Sequence, residues 1–360
     1  MKRRVGICTG GGDAPGLNAV IRAFVRDIVD QRGWEAVGIA DSFNGLLEQP
    51  HRLIPLSPDA TRGLVRRGGT ILGTTNRGNP FRYTRANGEQ VDVAPELAKA
   101  VKEERLEGLV CIGGDGTQAI ALQLMREVGI PVVGVPKTID NDLSATDYTF
   151  GFQTAVDIAT DALDRLQTTA ESHDRVLFLE VMGRDAGHIA LEAGIAGGAD
   201  IILVPEIPYD VERVAQCIRD RVLKGRRFSV VIIAEGALPV QDVVGKSMEQ
   251  RRERLNAGGG AANIAMKSLN GRIQAEMRTC VLGHIQRGGS PCAFDRVLAT
   301  RFGVAASRLV DEGRWGEMVR LRNGHVDGVP IQEAIETYKF VDPKGELVHA
   351  ARAIGVEFGG

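Results

Sequence analysis

The sequence predicts an α/β protein made of two Rossmann-like, three-layer α/β/α domains with mainly parallel sheets. Three observations carry that expectation. Short apolar runs alternate with segments of helical periodicity almost throughout the 360 residues. The runs are apolar at nearly every position, as strands buried on both faces are. Polar and glycine-rich turns follow the runs repeatedly, at the edge where open α/β sheets bind ligands.

Taken in order, "VGIC" reads as the first strand and leads through the glycine turn "TGGGDAPG" into a helix. Leu17, Val20, Ile21, Phe24, Val25 and Ile28 share one face of that helix at 3.6-residue spacing. "GLVCIGG" is followed by the helical "TQAIALQLMREV", and "PVVGV" by the polar stretch "PKTIDND". An amphipathic helix from about Thr154 to Thr169 leads towards a second sheet, which sets a domain boundary near residue 151. There "RVLFLEVMG" precedes "AGHIALEAGIAGG", "DIILVPE" precedes "DVERVAQCIRDRVLKG", and "FSVVIIAEG" ends the series. Residues 236–277 are helical but interrupted by glycines in "NAGGGAAN", and read as a surface insertion.

Composition narrows the function classes. A hydrophobic content of 43% with 25% charged residues is ordinary for a soluble globular chain. A net charge of -2 argues against a nucleic-acid binder, which needs basic excess to neutralise phosphates. Cys8, Cys111, Cys217, Cys280 and Cys292 lack metal-ligand spacing and are odd in number, so reduced thiols in a cytoplasmic protein are expected. No run approaches membrane-spanning length, and the apolar stretch after "MKRR" stops too soon for a signal peptide.

Two turns point to phosphate. "TGGGDAPG" joins a strand to a helix, where glycines let the backbone approach a ligand and the helix N-terminus favours anions. Its spacing matches neither the Walker P-loop nor the dinucleotide fingerprint, and a tight strand–helix turn is the alternative for this stretch alone. "GGDGT" (113–117) repeats the arrangement with Asp115, a carboxylate suited to Mg²⁺, and with Thr117, which as a helix cap has a structural explanation of its own. "PKTIDND" then sets Asp140 and Asp142 beside Lys137 and Thr138. A kinase acting on an alcohol needs a carboxylate to take the hydroxyl proton and positive charge around the moving phosphoryl group. A capped turn with a solvated acid pair is the alternative for this stretch alone. Arg184 in "EVMGRDAGH", Arg278, His284 and Arg287 in "RTCVLGHIQRGG", Arg175 and Glu235 complete the set. Singly each arginine suits a surface salt bridge; together they suit a bidentate phosphate clamp.

In order and spacing, "GGDAPG", "GGDGT", "KTIDND", "VMGR", "AEG" and "LGHIQRGG" resemble the 6-phosphofructokinase family from residue 4 to about 310. The resemblance implies a glycolytic phosphotransferase with an active site in the cleft between its domains. It implies phosphoryl transfer from ATP to O1 of fructose 6-phosphate, with Mg²⁺. Residues 1–151 plus about 286–338 would form the donor domain, and 152–285 plus about 339–360 the sugar-phosphate domain. Asp140 would be the base, with Thr138, Asp142 and Arg184 beside the transferring group. Gly11, Gly12, Arg77, Gly114, Asp115, Gly116, Thr117 and Lys137 would hold the donor, Asp115 through the metal. Thr138, Ile139, Asp140, Met182, Gly183, Arg184, Glu235, His284, Ile285, Gln286 and Arg287 would hold the sugar phosphate. Arg175 and Arg278 would reach a neighbouring subunit's site, which implies a homo-oligomer, tetramer or dimer.

The chain departs from the family pattern in places. Arg77 in "GGTILGTTNRGNP" stands one position later than the family's arginine. Of the short bacterial enzymes' effector site, Arg22, Arg26 and "KGRR" (224–227) are present, while Gln167 replaces an arginine. The donor markers are mixed. Gly116 leaves room for a nucleotide's α-phosphate, where pyrophosphate users carry aspartate, whereas Lys137 is the pyrophosphate users' residue. The charge block weighs more, so ATP is expected ahead of pyrophosphate.

Overall fold

The computed structural model describes residues 2–85 and 87–360. The strands are β1 (Arg4–Thr9), β2 (Glu35–Ile39), β3 (Leu53–Leu56), the small pair β4 (Tyr83–Thr84) and β5 (Gln90–Val91), β6 (Leu109–Gly113) and β7 (Val132–Pro136). They continue as β8 (Val176–Val181), β9 (Ile201–Leu203), β10 (Ser229–Ala234), β11 (Met277–Val281), β12 (Glu317–Arg322) and β13 (His325–Pro330). The chain divides into two compact units. One is Met1–Ile139, Leu143–Gln153 and Arg287–Tyr338; the other is Asp140–Asp142, Thr154–Gln286 and Lys339–Gly360. Met1 and Ala86 lie outside the described residues.

The first unit is built on a seven-stranded sheet in the order β13-β12-β7-β6-β1-β2-β3. Its centre is parallel, and only β3 and β13 run antiparallel to their neighbours. The period of two in a strand divides the apolar residues between its faces. Val5, Ile7, Val110, Ile112, Val133 and Val135 pack beneath helices Leu17–Arg26 and Ala293–Asp311, with Phe24 and Phe302 among the largest buried groups. Cys8, Leu109, Cys111 and Val132 face the other way, beneath helices Ala94–Glu103 and Asp115–Val128. The layered α/β class expected from the apolar runs is what this unit displays.

The second unit has the parallel sheet β11-β8-β10-β9. Val176, Phe178, Val231 and Ile233 share a core with helices Val211–Leu223 and Ala261–Leu269. On the opposite face, helix His188–Ala196 lies so close that a Cβ on Gly194 would stand 2.7 Å from Ile202. One expectation fails here. Residues 236–277 are not a surface insertion throughout, because Ala261, Ala262, Ile264, Ala265 and Leu269 are buried at helical spacing and form one of the sheet's covering layers. Only the part around helix Met248–Gly258 is a polar surface element, opened by a capping box between Ser247 and Gln250. Strand β11 and the hairpin β12–β13 continue the strand series past "FSVVIIAEG". Among the described residues no helix is long and apolar enough to cross a membrane.

Candidate active site

In the first unit, three predicted segments leave neighbouring strands at one edge. β1, β6 and β7 are adjacent and parallel, so the turn after β1, "GGDGT" after β6 and Lys137–Ile139 after β7 emerge side by side. The Lys137 backbone N–H donates to Gly113 O at 3.0 Å, and Gly10 N–H donates to Ile112 O at 2.9 Å. Lys137, a residue only 4% exposed, donates from Nζ to Gly12 O, which brings its ammonium group against the first glycine turn. Such burial is tolerated because the cation stays hydrogen-bonded and faces a ready partner for anions. Arg287 joins the same turn, its Nη1 donating to Asp13 O at 3.2 Å.

The second turn is shaped by packing. Helix Asp115–Val128 starts without a side-chain cap: Gly114 is its N-cap, and Thr117 sits inside the first turn, buried. Thr117 therefore does not cap, contrary to its structural reading. It fills the space over Gly113, where a Cβ would lie 2.3 Å from its side chain. Gly116 is exposed, and a Cβ there would meet nothing within 4 Å. Asp115, at the first position of the helix, accepts a hydrogen bond from the Tyr338 hydroxyl.

Thr138 O accepts from Thr149 Oγ1 at 2.7 Å, and Ile139 is fully buried. Asp140 and Asp142 are half-buried and flank Asn141, which is buried with a left-handed φ of 52°. The Lys339 N–H donates to Asp142 O at 2.8 Å. Arg77 is exposed. Its neighbour Asn76 comes nearer the first turn, with Oδ1 4.0 Å from where a Cβ on Gly11 would lie, farther than Lys137 Nζ at 3.5 Å.

In the second unit, Met182, Gly183 and Arg184 follow β8, and Glu235 follows β10. Their strand ends are tied together: Glu235 N–H donates to Val181 O at 2.8 Å and Gly236 N–H to Gly183 O at 3.2 Å. Gly236 has to be glycine, since a Cβ would fall 1.9 Å from Arg184 O. Gln286 is buried and accepts the Met182 N–H at 3.3 Å, which fixes the turn Gly283–Arg287 beside β8. His284 and Ile285 of that turn are exposed, as is Arg184, whose Nε donates to Asp185 at 2.7 Å.

Arg175 and Arg278 lie apart from this group, at the N-terminal ends of β8 and β11. Both point to Glu276: Arg175 Nε donates to it at 2.6 Å, and Arg278 Nη2 also donates to it. The Arg175 bond holds the Glu276 carboxyl below the usual range. The six residues of β8 separate Arg175 from Met182, on the order of 20 Å at strand rise.

Several residues that shape these sites were not singled out from the sequence. Gln118, fully buried, donates at 3.1 Å to the carbonyls of Cys111, Gly113 and Val135 and so ties β6 to β7. Asn18, also fully buried, donates to Arg67 O and Gly68 O at 3.1 Å and accepts from Ile71 N–H at 2.9 Å. Both directly follow glycine turns, and that placement was their only signal. Glu180 on β8 accepts the Ala262 N–H at 2.8 Å; burial pushes its carboxyl up, with a smaller push from Glu235. Among the described residues no group of three His, Cys, Asp or Glu side chains gathers to hold a metal.

Comparison with known proteins gives consistent findings. The family profile described as phosphofructokinase matches residues 4–310. The chain is 48% identical, over 99% of its length and 98% of the relative's, to ATP-dependent 6-phosphofructokinase 1 of Synechocystis. It is also 48% identical, over 94% of its length and 96% of the relative's, to the pyrophosphate–fructose 6-phosphate 1-phosphotransferase of Streptomyces coelicolor. In fold it is similar to the pyrophosphate-dependent phosphofructokinase of Nitrosospira multiformis, with a TM-score of 0.81 at 20% identity over 99% of this chain and 92% of that one.

Proposed function

The chain belongs to the phosphofructokinase family, and we propose that it transfers the terminal phosphoryl group of ATP to O1 of fructose 6-phosphate, giving fructose 1,6-bisphosphate and ADP. The observation that carries this reading is the side-by-side exit of the two glycine turns and the Lys137–Ile139 segment from β1, β6 and β7. That edge offers backbone N–H groups, a helix N-terminus and a buried ammonium group to a polyphosphate.

In the proposed reaction the first unit holds the donor and the second the sugar phosphate. Asp140 takes the proton of the 1-hydroxyl; the sugar oxygen then bonds to the γ-phosphorus as the bond to the departing ADP oxygen breaks. Lys137 and Arg287, both against the first turn, offset the charge of the phosphates. Asp115 fits Mg²⁺, because this ion is commonly held by one or two carboxylates and the substrate's own phosphates rather than by an all-protein cage. When bound, Mg²⁺ supplies charge compensation along the donor. Met182, Gly183, Arg184, Glu235, His284 and Gln286 orient the sugar phosphate.

Arg175 and Arg278 stand too far along their strands to join their own unit's group. That position supports a homo-oligomer in which they serve a neighbouring copy, and we place the enzyme in the cytoplasm as a glycolytic catalyst. Pyrophosphate is the second donor reading, favoured by the buried Lys137 and by the name of the Streptomyces coelicolor relative. A coupled assay with fructose 6-phosphate, Mg²⁺ and either ATP or pyrophosphate tests the reading. Turnover with ATP at least tenfold more efficient than with pyrophosphate is expected, and the reverse order would replace the first donor by the second.

A further inference from the structure

We propose that Tyr338 is a positioning residue for the metal-binding carboxylate: its hydroxyl holds Asp115 in the orientation that meets the donor's cation. The inference rests on the reading of Asp115 as the Mg²⁺ ligand. Tyr338 donates to Asp115 Oδ2, which leaves Oδ1 as the oxygen to meet the cation and restrains rotation about the Cβ–Cγ bond. A metal-ligating carboxylate is commonly oriented by such an outer partner, whose loss costs about 10- to 100-fold in metal affinity or activity.

The phenol is half-exposed, so its own burial does not explain its orientation. The backbone around it does. Tyr338 pairs with Leu143 in an isolated antiparallel bridge, and Thr337 Oγ1 lies 2.8 Å from Ser144 Oγ. The next residue, Lys339, gives its N–H to Asp142 O, and two residues further Val341 N–H donates to Glu206 Oε1 at 2.8 Å. A segment anchored on both sides of one tyrosine leaves that side chain little freedom.

The test is Tyr338→Phe, which keeps the ring and removes only the hydroxyl. Mn²⁺ is the probe, its binding followed by electron paramagnetic resonance in the presence of a non-hydrolysable ATP analogue. About tenfold weaker Mn²⁺ binding is expected, with the thermal midpoint and the affinity for fructose 6-phosphate unchanged. Asp115→Asn should weaken Mn²⁺ at least as much, and adding Tyr338→Phe to it should cost nothing more. Mn²⁺ binding in Tyr338→Phe equal to or tighter than in the unmodified protein, with Asp115→Asn weak, would overturn the role of the tyrosine alone. Unchanged binding in Asp115→Asn would overturn the ligand reading beneath it.

Discussion

Replacing Gly116 by aspartate should remove most ATP activity while leaving the fold intact, and the two effects can be sized separately. Gly116 is the second residue of helix Asp115–Val128, is exposed, and has open space where a Cβ would go. An acid in the first turn of a helix gains about 0.3–1 kcal/mol from the dipole. Repulsion from the adjacent Asp115 offsets part of that gain, so stability should move by no more than about 0.5 kcal/mol, as at most surface positions. The donor meets a different environment. A carboxylate about 5 Å from a donor phosphate costs about 0.8 kcal/mol at the dielectric of water and about 3 kcal/mol at an effective dielectric of about 20. As the bound donor displaces water the upper figure applies, which corresponds to a loss of roughly 100-fold. Steady-state kinetics in the coupled assay should therefore give a KM for ATP raised at least tenfold. Pyrophosphate, which has no α-phosphate or nucleoside to place near residue 116, should lose less than threefold in kcat/KM. A variant with unaltered kcat/KM for ATP and a normal thermal midpoint would refute the charge-block argument.

Three further outcomes are expected. Asp140→Ala should lower kcat by about 10²- to 10⁴-fold, the range for loss of a general base, with the KM for fructose 6-phosphate changed far less; a near-normal kcat removes Asp140 from proton transfer. Asn18→Ala should destabilise the first unit by about 1–3 kcal/mol, because it strips three part-buried hydrogen bonds from the backbone of the 67–71 loop. Urea unfolding read by tryptophan fluorescence reports on that unit, since Trp34 and Trp315 both lie in it, and an unshifted midpoint counts against the loop anchor. For Glu180, the folded carboxyl sits above its unfolded value, so its contribution to stability is fully present below the ordinary glutamate range and is lost as pH rises through the raised value. Glu180→Gln keeps an acceptor for the Ala262 N–H and should flatten that decline in denaturation midpoints measured by circular dichroism from pH 4 to 8; an identical slope in the variant assigns the decline elsewhere.

The parts of the fold that announced themselves in the sequence were those in which one local pattern answers to one environment. β1, β6, β7, β8, β9 and β10 are buried on both faces along almost their whole length, and their nearly continuous apolar runs say so, Glu180 being the one charge inside β8. β11 escaped because it is an exposed edge strand whose Arg278 and Thr279 break the run. Helix Ala261–Leu269 was hidden by the glycines before it: its inward face is largely alanine, too small to stand out, yet it packs closely on the sheet. The glycine turns and acid pair were legible as motifs, since each sits within a few residues of a strand end. Residues acting at long range were not. Tyr338 is 223 positions from Asp115, and no local pattern connects them. Arg77 was read from the family resemblance, one position late, whereas the neighbour that comes within 4.0 Å of a Cβ on Gly11 is Asn76, an outcome that depends on how the loop folds back.

The left-handed Asn141 makes the two acids beside it inseparable from their spacer. Most side chains would pay on the order of 1–2 kcal/mol to adopt that backbone, and a branched one more, whereas asparagine and glycine adopt it readily. Saturation libraries spanning positions 140–142 should thus keep mainly asparagine, aspartate and glycine at the middle position, and on the proposed mechanism only carboxylates beside it. A redesign that moves either acid along this stretch therefore has to carry its left-handed spacer with it.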